Sequence, residues 1–83
     1  MEYKNFKKEI NKMGLESTID ENCVCIFNDR LVCSISEKIV GVLSTEYENF
    51  YSLPVSIRKQ LIDTAYVYAI TDLNLRHIKR FCL

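Results

Sequence analysis

Apolar residues recur at helical spacing near both ends of the chain and at strand-like spacing between them. Tyr3, Phe6, Ile10 and Met13 follow at steps of three, four and three, with Lys4, Lys7, Lys8 and Lys12 in the gaps. That pattern predicts one apolar stripe on a short amphipathic helix over residues 3–13, which Gly14 is suited to end in a left-handed turn. A solvated face accounts for the lysines more simply than a basic binding helix does. Leu15 to Ile19 (LESTI) alternates and can open a sheet, and Asp20-Glu21-Asn22 reads as a turn.

Cys23 to Phe27 (CVCIF) and Leu31 to Ser36 (LVCSIS) are runs of β-formers around Asn28-Asp29-Arg30, the pattern of a hairpin. Two registers compete. A two-residue turn at Asn28-Asp29 puts Val24 and Ile26 on the face of Leu31, Cys33 and Ile35. A three-residue loop puts Cys23, Cys25 and Phe27 there instead, because a slip of one residue exchanges the two faces. The three-residue loop is preferred, since it gathers Phe27 with Leu31 and Ile35 and leaves Ser34 and Ser36 on the other face; in that register Cys33 lies opposite Cys25. After Glu37-Lys38, Ile39 to Ser44 (IVGVLS) reads as the third strand of a meander, with Gly41 allowing a bulge or a close backbone contact. Thr45 to Ser52 is expected to be a loop whose aromatics, Tyr47, Phe50 and Tyr51, close the edge of the core.

The stretch Leu53 to Leu73 reads as one long helix with Pro54 in its first turn. Ile57, Leu61, Ala65 and Tyr68 fall within roughly 80° of one another on a 3.6-residue wheel, with Ile62 and Ala69 at the margin. This stripe is expected to pack on the sheet, making Leu61→Ala and Ile57→Ala severe substitutions. Asp72 follows on the same line, with Arg76 four residues on as its expected ion partner. The opposite face holds Lys59, Gln60 and Asp63, but also Val67 and Ile70, bordered by Tyr66. Apolar residues on a face that should be wet call for a cover: the chain's own tail, a second copy or another protein. The tail, Asn74 to Leu83, mixes Arg76, His77, Lys79 and Arg80 with Leu75, Ile78, Phe81 and Leu83, and fits either a short helix or an edge strand.

Eighty-three residues, 48% of them hydrophobic, with two Gly and one Pro, describe a single domain over 1–83 near the lower size limit for one core. So short a chain has little surface left for a deep cleft, which argues against an enzyme. Eleven basic and eleven acidic residues cancel, so nothing in the balance signals nucleic-acid binding. The charges are segregated, with four lysines against two glutamates in residues 1–14, seven acidic against two basic residues in 15–55, and Arg76, Lys79 and Arg80 in 76–83. No run approaches the ~20 apolar residues of a membrane span, and the start lacks a signal peptide's apolar core. The expected location is the cytoplasm, where the four cysteines stay reduced.

Few residues suggest chemistry. Cys23, Cys25 and Cys33 with Cys82 or His77 could offer four zinc ligands, but the spacing lacks the two-residue knuckle, and buried cysteine is commonly a small hydrophobe. His77 is the sole histidine and has no evident third group to orient it as half of a Cys-His pair. Neither glycine belongs to a phosphate-cradling loop, so no cofactor is expected. Arg76, Lys79 and Arg80 beside Phe81 interleave charge and aromatic as single-strand binders do, but three charges neutralise little backbone.

The segment YENFYSLPVSIRKQLIDTAYVYAITDLNLR, residues 47–76, resembles one found in small phage and prophage proteins of low-GC Gram-positive bacteria. In those, an acidic-aromatic loop leads into an L-P helix with a Tyr-x-Tyr-Ala-like end and an Arg-bearing tail. The order helix, three strands, helix is also similar to that of several anti-CRISPR proteins, phage-encoded inhibitors of host nucleases, although the acidity of the DNA mimics among them is missing. The resemblance implies a non-catalytic phage or mobile-element protein that binds a host protein, with a defence nuclease as the target. The expected fold is α+β: a short helix, a three-stranded antiparallel meander, a long helix and a short tail in two layers. Tyr66, Val67, Ile70, Arg76, Lys79 and Arg80 are the expected interface, and a homodimer through that face is a further expectation. The alternatives are a nucleic-acid-binding module using the basic tail and a zinc-stabilised domain.

Overall fold

The first helix, α1 (Tyr3–Lys12), buries Phe6 and Ile10 completely and leaves its lysines exposed. Its end is a Schellman motif. Leu15 N–H donates to Ile10 C=O at 3.2 Å and Gly14 N–H to Asn11 C=O at 3.0 Å, with Gly14 at φ 80°. The computed structural model describes residues 1–77. Expectations about Ile78, Lys79, Arg80, Phe81, Cys82 and Leu83 therefore lie outside the described residues.

Four strands follow in meander order: β1 (Glu16–Ile19), β2 (Cys23–Asn28), β3 (Arg30–Ser36) and β4 (Leu43–Ser44), every neighbouring pair antiparallel. The α+β class and the two helices flanking a meander are as the sequence predicts; the sheet is one strand wider because LESTI pairs along β2. Asp20 stabilises the first turn by accepting N–H bonds from Asn22 (2.7 Å) and Cys23 (2.9 Å).

The β2–β3 hairpin satisfies both competing registers in part. At its tip Phe27 faces Leu31 and Asn28 faces Arg30 around Asp29, which takes φ 64°. That is the three-residue loop. A β-bulge then makes Val32 the extra residue, and beyond it Ile26 faces Cys33, Val24 faces Ile35 and Cys25 faces Ser34. The expected set of Cys23, Cys25 and Phe27 is thereby turned away from the core. Val24, Ile26, Val32, Cys33 and Ile35 are buried instead, and Cys33 does not oppose Cys25.

The third expected strand is largely a turn. Only Leu43 and Ser44 pair with β3. The Ser36 hydroxyl accepts N–H bonds from Lys38 (3.1 Å) and Ile39 (3.0 Å), and Gly41 sits at φ 87°, so the chain turns where the β-formers predict an extended run. Three further helices follow among the described residues: α2 (Glu48–Ser52), α3 (Val55–Ala69) and α4 (Leu73–Arg76). The single helix expected over 53–73 is thus shorter at both ends. Pro54 precedes the first helical residue at ψ 147°, and the C-terminal carbonyls of α3 are taken up by side chains, as described below.

Leu61, Ala65, Tyr68 and Ala69 of α3 pack with Phe6 and Ile10 of α1, the inward residues of β2 and β3, and Leu15, Phe50 and Leu53 to form the core. Ile57 is only half-buried at its margin. Full burial of a side chain of this size contributes about 1.5–3 kcal/mol. Among the described residues no helix is long and apolar enough to cross a membrane.

Candidate interaction surface

The helix α3 is apolar around most of its circumference. Leu61, Ala65 and Tyr68 face the core, while Val55, Ile62, Tyr66, Val67 and Ile70 remain exposed. Val55, Ile62, Tyr66 and Ile70, at steps of seven, four and four, form a second line on the helix surface. Tyr66, Val67 and Ile70 are 57%, 44% and 49% exposed, so nothing among the described residues covers the face the sequence marks as unpartnered.

The turn of residues 37–42 extends this surface. Gly41 N–H donates to Ala69 C=O at 2.7 Å, which lays the turn against the last turn of α3. Val40 and Val42, the chain neighbours of Gly41, and Ile70, the neighbour of Ala69, are therefore on adjoining backbone segments, and all three are exposed, as is Ile39. Sequence reading misses Ile39, Val40 and Val42 because it assigns them to a strand. The signal was present in Gly41 and in Ser36, a residue able to close a turn with its hydroxyl.

Arg76 holds these segments together. Its guanidinium donates to four oxygens beyond its own helix: Ser36 C=O at 2.6 Å, Glu37 Oε2 at 2.8 Å, Ala69 C=O at 2.7 Å and Thr71 C=O at 3.0 Å. It lies 4.7 Å from the centroid of the Tyr68 ring, which stacks on Phe6 at 4.6 Å. The carbonyls of a helix's last turn have no partner within the helix; here a side chain from the next helix supplies one, and Thr71 Oγ1 donates to Val67 C=O at 2.7 Å. With 1% exposure, Arg76 cannot be part of an outward basic patch, nor is Asp72 its partner. The expectation that it stands in the interface is corrected: it fixes the surface from behind. The basic tail loses one of its three charges for the same reason, and Lys79 and Arg80 lie outside the described residues.

Glu37 is the other half of the anchor. Tyr68 Oη donates to its Oε1 at 3.0 Å, and His77 Nε2 reaches the same oxygen at 2.7 Å. Burial raises the Glu37 pKa, but the hydrogen bonds from His77, Arg76 and Tyr68 and the charge of His77 together outweigh it, leaving the carboxyl below its ordinary range. Burial, then the charge and hydrogen bond of Glu37, push the Tyr68 hydroxyl upward. His77 has Glu37, Tyr68 and the Tyr3 ring (5.6 Å) around it, none of them a thiol, so among the described residues no cysteine pairs with it; Cys82 lies outside them.

The three cysteines among the described residues divide between the two faces of the sheet. Cys33 is fully buried in the core, and burial pushes its thiol up to about 12. Cys23 and Cys25 lie half-buried on the opposite face. The four-ligand arrangement of Cys23, Cys25 and Cys33 with His77 is therefore not assembled, and among the described residues no group of three or more His, Cys, Asp or Glu is placed to hold a metal ion. Compared with family models, curated proteins and solved structures, the chain matches none.

Proposed function

We propose that this protein is a non-catalytic interaction protein that binds another protein through the apolar surface formed by Tyr66, Val67 and Ile70 of α3 with Ile39, Val40 and Val42 of the adjoining turn. The observation that carries this reading is the exposure of all six on two segments held together by Arg76 and Gly41. Six side chains about half exposed present on the order of several hundred Å² of apolar surface, the size at which patches on small proteins mark interaction sites.

That area favours a different protein over a second copy. A stable interface buries about 800 Å² per partner, more than a patch of several hundred Å² offers by itself, so the partner has to reach around the helix and the turn together. A partner with an apolar groove can enclose both the helix and the turn. The resemblance of residues 47–76 to phage and prophage proteins directs the search for it to host defence nucleases in the cytoplasm. Photo-crosslinking from position 66, with a second probe at exposed Thr18 on the far side of the sheet, tests the reading. It predicts one discrete adduct with a host protein from position 66 alone. Equal labelling from both positions, no adduct, or an adduct only between copies of the chain contradicts it.

A further inference from the structure

The sheet face turned away from the helices carries a second feature, unrelated to the apolar surface. Cys23 and Cys25 are two residues apart on β2, so their side chains leave the strand on the same side, and their sulfurs are 3.3 Å apart. Register places Ser36 opposite Cys23, and Ser34 and Thr18 on either side of Cys25. The Ser34 hydroxyl is bonded to Tyr47 Oη at 2.9 Å. Two thiols thus stand together on a central strand, with small neutral hydroxyls beside them and the Asp20 carboxylate accepting the Cys23 N–H at 2.9 Å.

We propose that Cys23 and Cys25 form a two-sulfur site for a soft monovalent cation, Cu(I). Thiolates are the preferred ligands of such an ion, whereas zinc in structural sites takes four ligands. The flanking hydroxyls are neutral oxygens, poorly matched to either. Binding replaces the two S–H protons, released to solvent, by two metal–sulfur bonds, with no change in oxidation state. Metal–thiolate bonds of about 2.3 Å span ~4.6 Å between sulfurs when collinear, so the pair has to open by rotation about its side-chain bonds while the strand stays in place. An intramolecular disulfide fits less well. Residues two apart on a strand are separated by about 6.7 Å, and a disulfide draws its Cβ atoms to roughly 4 Å, which requires the strand to buckle between two hydrogen-bonded neighbours.

The test is an anaerobic titration of the full, reduced chain with Cu(I) in competition with bicinchoninate, monitored by sulfur-to-copper absorption in the ultraviolet. One equivalent bound by the wild type and by Cys82→Ser, and lost in Cys23→Ser and in Cys25→Ser, supports the site. Thermal melts of the metal-free variants show whether the fold survives each change, and both serines replace half-buried residues beside other hydroxyls. Failure of the wild type to compete overturns the assignment, as does loss of binding in Cys82→Ser with retention in Cys23→Ser. A parallel zinc titration that yields one ion per two chains, with dimer formation, overturns two-coordination in favour of a shared four-sulfur site.

Discussion

Arg76 and Glu37, 39 residues apart in the chain, meet at 2.8 Å in a pair whose side chains are 0% and 8% exposed. Buried ion pairs often contribute little relative to apolar replacements, but removing one partner leaves the other charge stranded. Here the guanidinium also satisfies three carbonyls. Arg76→Met is therefore expected to destabilise the fold by about 3–5 kcal/mol. Arg76→Lys, which keeps the charge but not the planar fork, should fall between that variant and the wild type. Urea unfolding midpoints at neutral pH check both.

Glu37 has a depressed pKa in the folded chain, so the sign of its pH dependence follows. Its contribution is present above the ordinary carboxyl value of 4.5 and is lost as pH falls through the lower folded value, because the unfolded chain takes up the proton first. Glu37→Gln should be less stable than the wild type at pH 7, and the gap should narrow as the pH falls from 4.5 toward 3. Parallel melts across that range measure it.

Gly41 takes φ 87°, yet a Cβ built there meets nothing within 4 Å. The cost of Gly41→Ala is thus conformational, on the order of 1–2 kcal/mol. Because Gly41 N–H bonds to Ala69, the variant should also lose amide exchange protection at position 41 before global stability is much affected. Hydrogen exchange read residue by residue separates the two effects.

Leu61 is fully buried and its neighbour Ile62 is 43% exposed. Leu61→Ala should cost about 2–5 kcal/mol, while Ile62→Ala should stay within roughly 0.5 kcal/mol. Ile57, half-buried, should fall between them rather than rank with Leu61 as its place in the stripe suggests. Denaturant titrations of the three variants give the order directly.

The parts of the fold legible in the sequence are those set by periodicity and local chemistry. The stripe Phe6–Ile10 with Gly14, and Leu61–Ala65–Tyr68, fix which helix faces turn inward. The hairpin shows how local evidence reaches its limit. Asn28-Asp29-Arg30 identifies the tip, but the bulge at Val32 has no signature in a run of β-formers, and it alone decides that Val24 and Ile26 rather than Cys23 and Cys25 face the helices. Ile39, Val40 and Val42 have strand propensity and sit on a turn, since the Ser36 hydroxyl and the Ala69 carbonyl provide partners that propensity does not register.

The exposed surface was readable for the opposite reason. Val67 and Ile70 violate the amphipathic pattern, and among the described residues nothing covers that violation. Arg76 reads from sequence as an outward charge because its neighbours in sequence are basic and polar, whereas its partners, Ser36 and Glu37, come from the end of β3 and the turn after it. A charged residue near a chain end has a simple expectation of solvent, and only the tertiary arrangement supplies four acceptors at once.

The central claim is that the α3 surface and its adjoining turn bind a partner. The most direct measurement is the affinity of the purified partner captured from position 66, compared between the wild type and the double variant Val67→Glu, Ile70→Lys. Circular dichroism and melting should be nearly unchanged, since both side chains are already exposed. Binding should weaken by about 30-fold or more, the equivalent of ~2 kcal/mol expected of residues central to an interface. A folded double variant that binds as tightly as the wild type contradicts the account.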